Sequence, residues 1–519
     1  MVSFNLADLF ELVADAVPDR VAVVGGDVRR TYGALDERAT RLAHAIDVEP
    51  GRHVGLCLRN SIAHVELMLA CYKRRVVPVN VNWRYTDDEL DYLARDAQLV
   101  ALWRDEDTGT DAYEDLVASG SPARDFGERS ADDHYVLYTG GTTGMPKGVV
   151  WRQEDIFFAA LGGGNPGGPP ITAPGEIVAS VLDNPSQRLR AFLRPDEPGP
   201  PQFVSLALGP LMHASGQWSA LGTLLGGGKV VLVTDTSIDM TRVLDLVERE
   251  AVNACNLVGD ASARPMLAAL AAEPQRWDTS SLRLLGSGGS ILSGAVKDEL
   301  MRALPSVLAI VEGVGSSEAP AQAVAVTRRD GGVNQSLTFA PKAETIVVDD
   351  DLRPIPAGSG RAGRLATRGR VPLHYYNDPE RSARTFVEID GRRWSLPGDM
   401  ATIDADGTIH LLGRGSLCIN TGGEKVYPEE VEAVLKTAPG VADAAVLGVA
   451  DDVYGERVVA LVAPADRATP PTLDDVQQYA RTRLAGYKLP RALHVVDDIV
   501  RTPAGKIDYA WARSVATVS

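Results

Sequence analysis

Tyr138-Thr-Gly-Gly-Thr-Thr-Gly-Met-Pro-Lys-Gly-Val-Val150 decides the reading of this 519-residue chain. A short strand candidate, His134 to Tyr138, runs into a loop of Gly and Thr that ends in one Lys. Glycine lets backbone N–H groups turn inward with no Cβ in the way. Successive inward amides make a concave anion site, the threonine hydroxyls add donors, and Lys147 adds a mobile positive charge. The pattern points to a cradle for the phosphates of a nucleotide. The P-loop pattern G-x-x-x-x-G-K-[ST] does not fit, because Pro146 stands before Lys147 and Gly148 follows where Ser or Thr is needed. A lone Gly-rich loop is more often a surface turn; the fixed order of Thr, Thr, Gly, Pro and Lys makes this one specific.

Around this stretch, apolar strand-like runs alternate with helix-like patterns. Val54 to Leu58 precedes Ile62 to Tyr72, and Phe203 to Leu208 precedes Ser215 to Leu225. Lys229 to Val233 precedes Met240 to Glu250, and Leu282 to Leu285 precedes Ala295 to Leu304. The alternation predicts an α/β fold with largely parallel sheets covered by helices. From about Thr338 to Leu412, short β-rich runs broken by Asp, Gly and Pro turns predict a small β subdomain. The mixed α and β signals after Arg414 suit a separate lid. Gly162 to Gln202 opens and closes in Gly/Pro clusters that break regular structure. Its middle, Ile177 to Phe192, suits a short helix, and a loop this long is either functional or disordered.

The length implies two or three domains. A net charge of −17 argues against nucleic-acid binding and against polybasic attachment to anionic membranes. Cys57, Cys71, Cys255 and Cys418 are scattered, with no zinc or disulfide pattern, and read as small buried hydrophobes in a reducing cytoplasm. No run reaches the ~18 apolar residues a membrane span needs. The expectation is a soluble cytoplasmic protein with no integral membrane segment; a homodimer is the candidate assembly.

Four further segments carry chemistry. Glu318 ends the Gly/Ser turn of Gly313-Val-Gly-Ser-Ser-Glu318, where a strand edge would deliver it to a cleft, and a phosphate-bound Mg²⁺ takes one or two such carboxylates. Alone, the pattern reads better as a helix cap. Asp399, in the turn Pro397-Gly398-Asp399, can accept both hydroxyls of a ribose, and Arg414 follows within reach. Arg501-Thr-Pro-Ala-Gly-Lys506 exposes Lys506 on a turn. His213 sits on a loop in Pro210-Leu-Met-His-Ala-Ser-Gly216; from this residue alone, a histidine satisfied by packing is expected.

Together these segments resemble the adenylate-forming, AMP-binding superfamily of acyl-CoA synthetases, adenylation domains and luciferases. The resemblance runs from Asn5-Leu-Ala-Asp-Leu and Thr31-Tyr-Gly-Ala-Leu to Lys506. Gly413-Arg-Gly-Ser-Leu-Cys-Ile-Asn-Thr-Gly-Gly-Glu-Lys-Val-Tyr-Pro428, Gly259-Asp-Ala-Ser-Ala-Arg-Pro265 and Trp151-Arg-Gln-Glu-Asp155 are similar to bacterial fatty-acyl and sterol-side-chain CoA ligases. The implied fold is a large N-terminal domain, residues 1–413, of two α/β subdomains and a small β subdomain. A small mobile α+β C-terminal domain, residues 414–519, follows.

The resemblance implies ATP, Mg²⁺ and coenzyme A as co-substrates and cofactor, and a carboxylic acid as substrate. Thr139, Gly140, Gly141, Thr142, Thr143, Gly144 and Lys147 would wrap the β- and γ-phosphates. Gly288, Gly289 and Ser290, with Gly313, Val314 and Gly315, would line the adenine and acyl pocket. Ser317 would touch the α-phosphate, Glu318 and Thr142 would hold Mg²⁺, and Asp399 and Arg414 the ribose. Lys506 would bridge carboxylate and α-phosphate, with His213 between the acyl pocket and the thiol tunnel. Met212, Ala214, Trp218, Val258 and Ser290 line a mostly apolar acyl pocket, which suits a fatty, branched, sterol-derived or aryl acid.

A rotation about Ser416 would withdraw Lys506 and present Asn420, Gly422, Gly423 and Lys425 on the coenzyme A side. Gly140, Val314, Ser416 and Leu417 depart from the family's usual Ser, aromatic, Asp/Lys and acidic residues. The long 162–202 loop is expected to cover the pocket entrance. Two rivals stand: an adenylating enzyme with an amine or carrier-protein acceptor, and an inactive nucleotide-binding homologue. No G-x-S-x-G elbow supports a hydrolase.

Overall fold

The computed structural model describes residues 2–141, 144–165, 169–182, 202–290, 292–331, 338–341, 344–421, 424–451, 454–502 and 505–517. Among these residues three sheets form. The first has six strands, in the order His374–Tyr375, Gly144–Arg152, His134–Gly141, Val77–Asn80, His53–Cys57, Leu99–Arg104. The second has fifteen. Its centre is parallel, with Lys229–Leu232, Val204–Ala207, Ala254–Leu257, Leu284–Gly288 and Ala309–Ser316 side by side.

This parallel centre is largely apolar because helices pack on both of its faces. Leu206, Cys255, Leu285 and Ile310 pack on the helices Met240–Glu250, Gly259–Ala272 and Gly294–Ala303. Val230 and Leu232 share a core with Leu221 and Leu224 of the helix Ala214–Leu225. Beyond Ala309–Ser316 the sheet turns antiparallel through Ala319–Arg328, Thr338–Pro341, Ile409–Arg414 and Asp399–Ile403. The expected β subdomain is therefore present, and its strands continue the second sheet rather than forming one of their own. After Arg414 a third sheet of five strands forms, with Ala492–Val495 parallel to Gly455–Pro464.

Two glycine-rich stretches are more ordered than their composition suggests. The strand expected over 134–138 extends to Gly141 and returns as Gly144–Arg152, an antiparallel hairpin in which Gly141 pairs with Gly144; Thr142 and Thr143 lie outside the described residues. A P-loop would instead lead into a helix. Gly148 faces the Tyr138 ring across the hairpin, and a Cβ there would lie 2.6 Å from the ring. That packing explains a glycine after Lys147. Likewise Gly313 to Ser316 is strand, not turn; a Cβ at Gly315 would meet the Pro320 carbonyl at 2.3 Å, so the tight turn to the next strand requires glycine.

In the 162–202 segment the described helix is Glu176–Leu182, with Ile177 and Val181 buried in the core around the helix Leu6–Ala16. Residues 166–168 and 183–201 lie outside the described residues, so the lid expectation falls largely there. The four cysteines are free thiols, three of them buried. Among the described residues no helix is long and apolar enough to cross a membrane.

Candidate functional site

The phosphate-loop hairpin delivers Lys147 to the top of the second sheet. Its Nζ lies 2.6 Å from Glu318 Oε1 and 2.9 Å from the Tyr375 hydroxyl, and 4.4 Å from the centre of the Tyr375 ring. Tyr375 also donates to Glu318 Oε1 at 2.7 Å. Glu318 sits in the turn between Ala309–Ser316 and Ala319–Arg328, fixed by Ser395 Oγ on its carbonyl (2.9 Å). The neighbouring Ser317 carbonyl accepts from Trp151 Nε1 at 3.1 Å.

Burial alone would push the Glu318 carboxyl up. The Lys147 charge and hydrogen bonds from Lys147, Tyr375 and Ser316 outweigh it and hold the group at about 2. Glu318 is therefore a buried, ionised carboxylate at neutral pH. The same negative charge, added to burial, pushes the Tyr375 phenol well above its ordinary range.

A second group forms where the C-terminal domain meets the N-terminal one. Lys506 lies on a small hairpin closed by the Arg501↔Ile507 bridge and by Thr502 N–H donating to the Lys506 carbonyl at 2.7 Å. Arg501 donates to Asp443 at 2.6 Å, and Lys436 lies 3.3 Å from the same carboxylate, which pins the hairpin to its domain. Gly505, at φ +75°, abuts the start of the helix Gly259–Ala272: a Cβ there would lie 2.6 Å from Val258 Cγ1.

His213 precedes the helix Ala214–Leu225, and its Nε2 is buried with no hydrogen-bond partner. The histidine expected to be satisfied by packing is not satisfied. Burial first, then the Lys506 charge, then that of Arg84, depress its pKa to about 4, so the ring is neutral at pH 7. Asn80 ties this loop to the phosphate hairpin: its Nδ2 donates to the Met212 carbonyl (2.6 Å) and the Tyr138 carbonyl (2.7 Å), and its Oδ1 accepts from Tyr138 N–H (2.7 Å).

Asp399 is buried at the start of Asp399–Ile403, after Gly398 at φ +102°, and is the cross-strand partner of Arg414. Gly288 and Gly313 are also cross-strand partners. Gly289 and Ser290 follow on the loop, Gly289 at φ +79°. Val314 is packed with Ala323, Phe339 and Val347, leaving little surface for a flat ring. Met212 is buried and the Trp218 indole donates to Tyr135 Oη at 3.0 Å.

Asn420 lies in the strand Ile419–Thr421, between Glu424–Val426 and Gly455–Pro464, its N–H on Glu456 at 2.8 Å, and none of its hydrogen bonds reaches the Lys147–Glu318 group. Thr142, Thr143, Gly422 and Gly423 lie outside the described residues, as do the side chains of Arg414, Ser416 and Lys425. Thr139 and Gly140 face the surface on the hairpin, with Gly141 and Gly144 at its tip.

Among the described residues no cluster of three His, Cys, Asp or Glu gathers to hold a metal alone. The donor chemistry suits a hard cation that arrives with phosphates, to which Glu318 adds one ionised carboxylate. Sequence reasoning missed Tyr375 and Asn80. Tyr375 reaches the site only because His374–Tyr375 pairs with Val149 and Val150, which no local motif announces.

An AMP-binding enzyme family model matches residues 10–376, and an AMP-binding enzyme C-terminal domain model matches residues 430–506. A 3-oxocholest-4-en-26-oate–CoA ligase of Rhodococcus rhodochrous is 40% identical, across 99% of this chain and 96% of its own. A medium/long-chain-fatty-acid–CoA/3-oxocholest-4-en-26-oate–CoA ligase of Mycolicibacterium smegmatis is 39% identical, across 99% and 97%. Among solved structures, the anthranilate CoA ligase AuaEII in complex with anthranoyl-AMP superposes with a TM-score of 0.82 at 22% identity, covering 99% of this chain and 98% of its own.

Proposed function

This chain belongs to the AMP-binding enzyme family, and from that premise we propose that it is an AMP-forming acyl-CoA ligase acting on a hydrophobic carboxylic acid. The reading is supported by the full-length likeness to CoA ligases. The structural observation that carries it is the approach of the Lys506 hairpin to Val258, beside a buried neutral His213.

A carboxylate must attack an α-phosphate that is also negative, and like charges a few ångströms apart repel strongly in a dry cleft. Lys506 is the removable cation between them. Lys147 turns from Glu318 to the β- and γ-phosphates, steadying pyrophosphate as it leaves. Glu318 would hold Mg²⁺, which supplies charge neutralisation on the phosphates. Asp399 and Arg414 hold the ribose; Gly288, Gly289, Gly313 and Gly315 leave room for the nucleotide and acyl group.

In the second half-reaction the coenzyme A thiol attacks the acyl carbonyl and AMP departs. For that, residues 414–519 rotate on 1–413 about Ser416, withdrawing Lys506 and bringing Asn420 to Lys425 to the thiol side. His213, buried and neutral, would stand between the acyl pocket and the thiol tunnel. Its four free thiols suit work in a reducing cytoplasm.

Pyrophosphate release across a panel of carboxylic acids, with coenzyme A or an amine as acceptor, tests the reading. Acid-dependent release and thioester formation are expected. An amide product without thioester would assign the enzyme to amide synthesis, and no release with any acid would end the proposal.

A further inference from the structure

The strands Ala254–Leu257, Leu284–Gly288 and Ala309–Ser316 lie in the interior of the second sheet. On one face Cys255, Leu285 and Ile310 are fully buried beneath helices. On the other, Asn256, Gly286 and Val311, which are cross-strand neighbours, stay half-buried, and Gly313 is exposed. A Cβ at Gly313 would meet nothing within 4 Å, and one at Gly288 nothing nearer than 3.8 Å. Toward the carboxyl ends of these strands this face of the sheet is thus open, beside the helix Ala214–Leu225 that Asn256 reaches.

There Asn256 Nδ2 donates to Ser219 Oγ of that helix at 2.7 Å, and Ser219 Oγ lies 3.4 Å from Ser205 Oγ. The Asn256 amide lies flat across Gly286, whose missing side chain makes its space: a Cβ at 286 would come 2.1 Å from Asn256 Oδ1. Among the described residues no donor reaches that Oδ1. One end of the amide is anchored by Ser219, and the other lies over Gly286 without a donor.

Resting on the ligase reading above, we propose that Asn256, held by Ser219, is a specificity residue that selects acyl groups bearing a hydroxyl over plain hydrocarbon ones. A plain acyl chain that lies over this open face and expels water leaves the free end of the amide unpaired, whereas a hydroxyl pairs it. Because a hydroxyl both donates and accepts, it satisfies the amide whichever of its two ends faces inward. Sites built to hydrogen-bond a substrate hydroxyl discriminate strongly against the analogue without it.

ATP–pyrophosphate exchange with matched acids, plain and hydroxylated at successive positions along the chain, tests this. For one hydroxyl position kcat/KM should exceed that of the plain acid by on the order of tenfold or more. Asn256→Leu, similar in volume, should abolish or reverse the preference while exchange with plain acids persists. Should Asn256→Leu fail to fold, Ser219→Ala serves: it unanchors the amide and should shrink the same ratio. A wild-type enzyme indifferent to every hydroxyl position, or an Asn256→Leu or Ser219→Ala enzyme that keeps the wild-type ratio, overturns the inference. No exchange with any acid overturns the ligase reading, and this inference with it.

Discussion

Replacing Glu318 by Gln should destabilise the ligand-free enzyme in a way that pH can isolate. The carboxyl is held at about 2 against an ordinary 4.5. Each unit is worth about 1.4 kcal/mol, so the folded state favours ionised Glu318 by about 3 kcal/mol. The group is almost wholly buried, so little of this is screened, although its partner Lys147 keeps 21% of its side chain exposed. A net cost of about 2–3 kcal/mol at pH 7 follows, mostly from a lysine left facing a neutral amide.

The sign with pH is fixed, because the folded-state pKa lies below the unfolded one. The contribution is complete above about pH 4.5 and disappears as pH falls through about 2. Urea denaturation of wild type and Glu318→Gln, from pH 7 downward, reads the difference directly. The gap should narrow steadily below pH 4.5, and Lys147→Met in the Gln background should cost less than in wild type. Equal midpoints at pH 7, or a gap that persists unchanged at pH 2.5, would refute the reasoning.

Three other substitutions carry further expected outcomes. Lys506→Met should raise the His213 pKa from about 4 toward, but not to, the ordinary 6.5, because burial is the larger cause and remains; imidazole ring-proton NMR titration reads it. The same variant should slow adenylate formation by on the order of 10²–10³. Asp443→Asn loosens Arg501 and Lys436, and should cut kcat for adenylation by about 10–100-fold with little change in the KM for ATP, while thioester formation from supplied acyl-adenylate keeps its rate. Gln322 is fully buried with both amide atoms unpaired, so Gln322→Met should stabilise the protein by about 1–3 kcal/mol in the same urea assay.

Much of this molecule is legible in its sequence because the central strands are continuous apolar runs and the helices between them are amphipathic. Ile62–Arg74, Ala214–Leu225 and Met240–Glu250 form close to where periodicity puts them. Glycine misleads where it serves close packing instead of turning. Gly148 under Tyr138 and Gly315 under Pro320 belong to strands, and composition alone suggests loops. Long-range pairing is the other blind spot. The merging of the 338–414 strands with the second sheet, and the delivery of Tyr375 to Lys147, depend on partners far away in sequence. Lys147, Glu318, Asp399 and Lys506 are legible as isolated polar residues beside Gly, Pro and Ser; the ion pair between Glu318 and Lys147 is not.

The seat of Gly505 against Val258 has a consequence for fidelity. With Val258 in the acid's enclosure, where the family resemblance puts it, one isopropyl group would be wall on one side and doorstop on the other. An acid that fits badly would then push that wall outward and keep the lysine arm from latching. Mismatched cargo would then be refused before any nucleotide is spent, with no separate editing site.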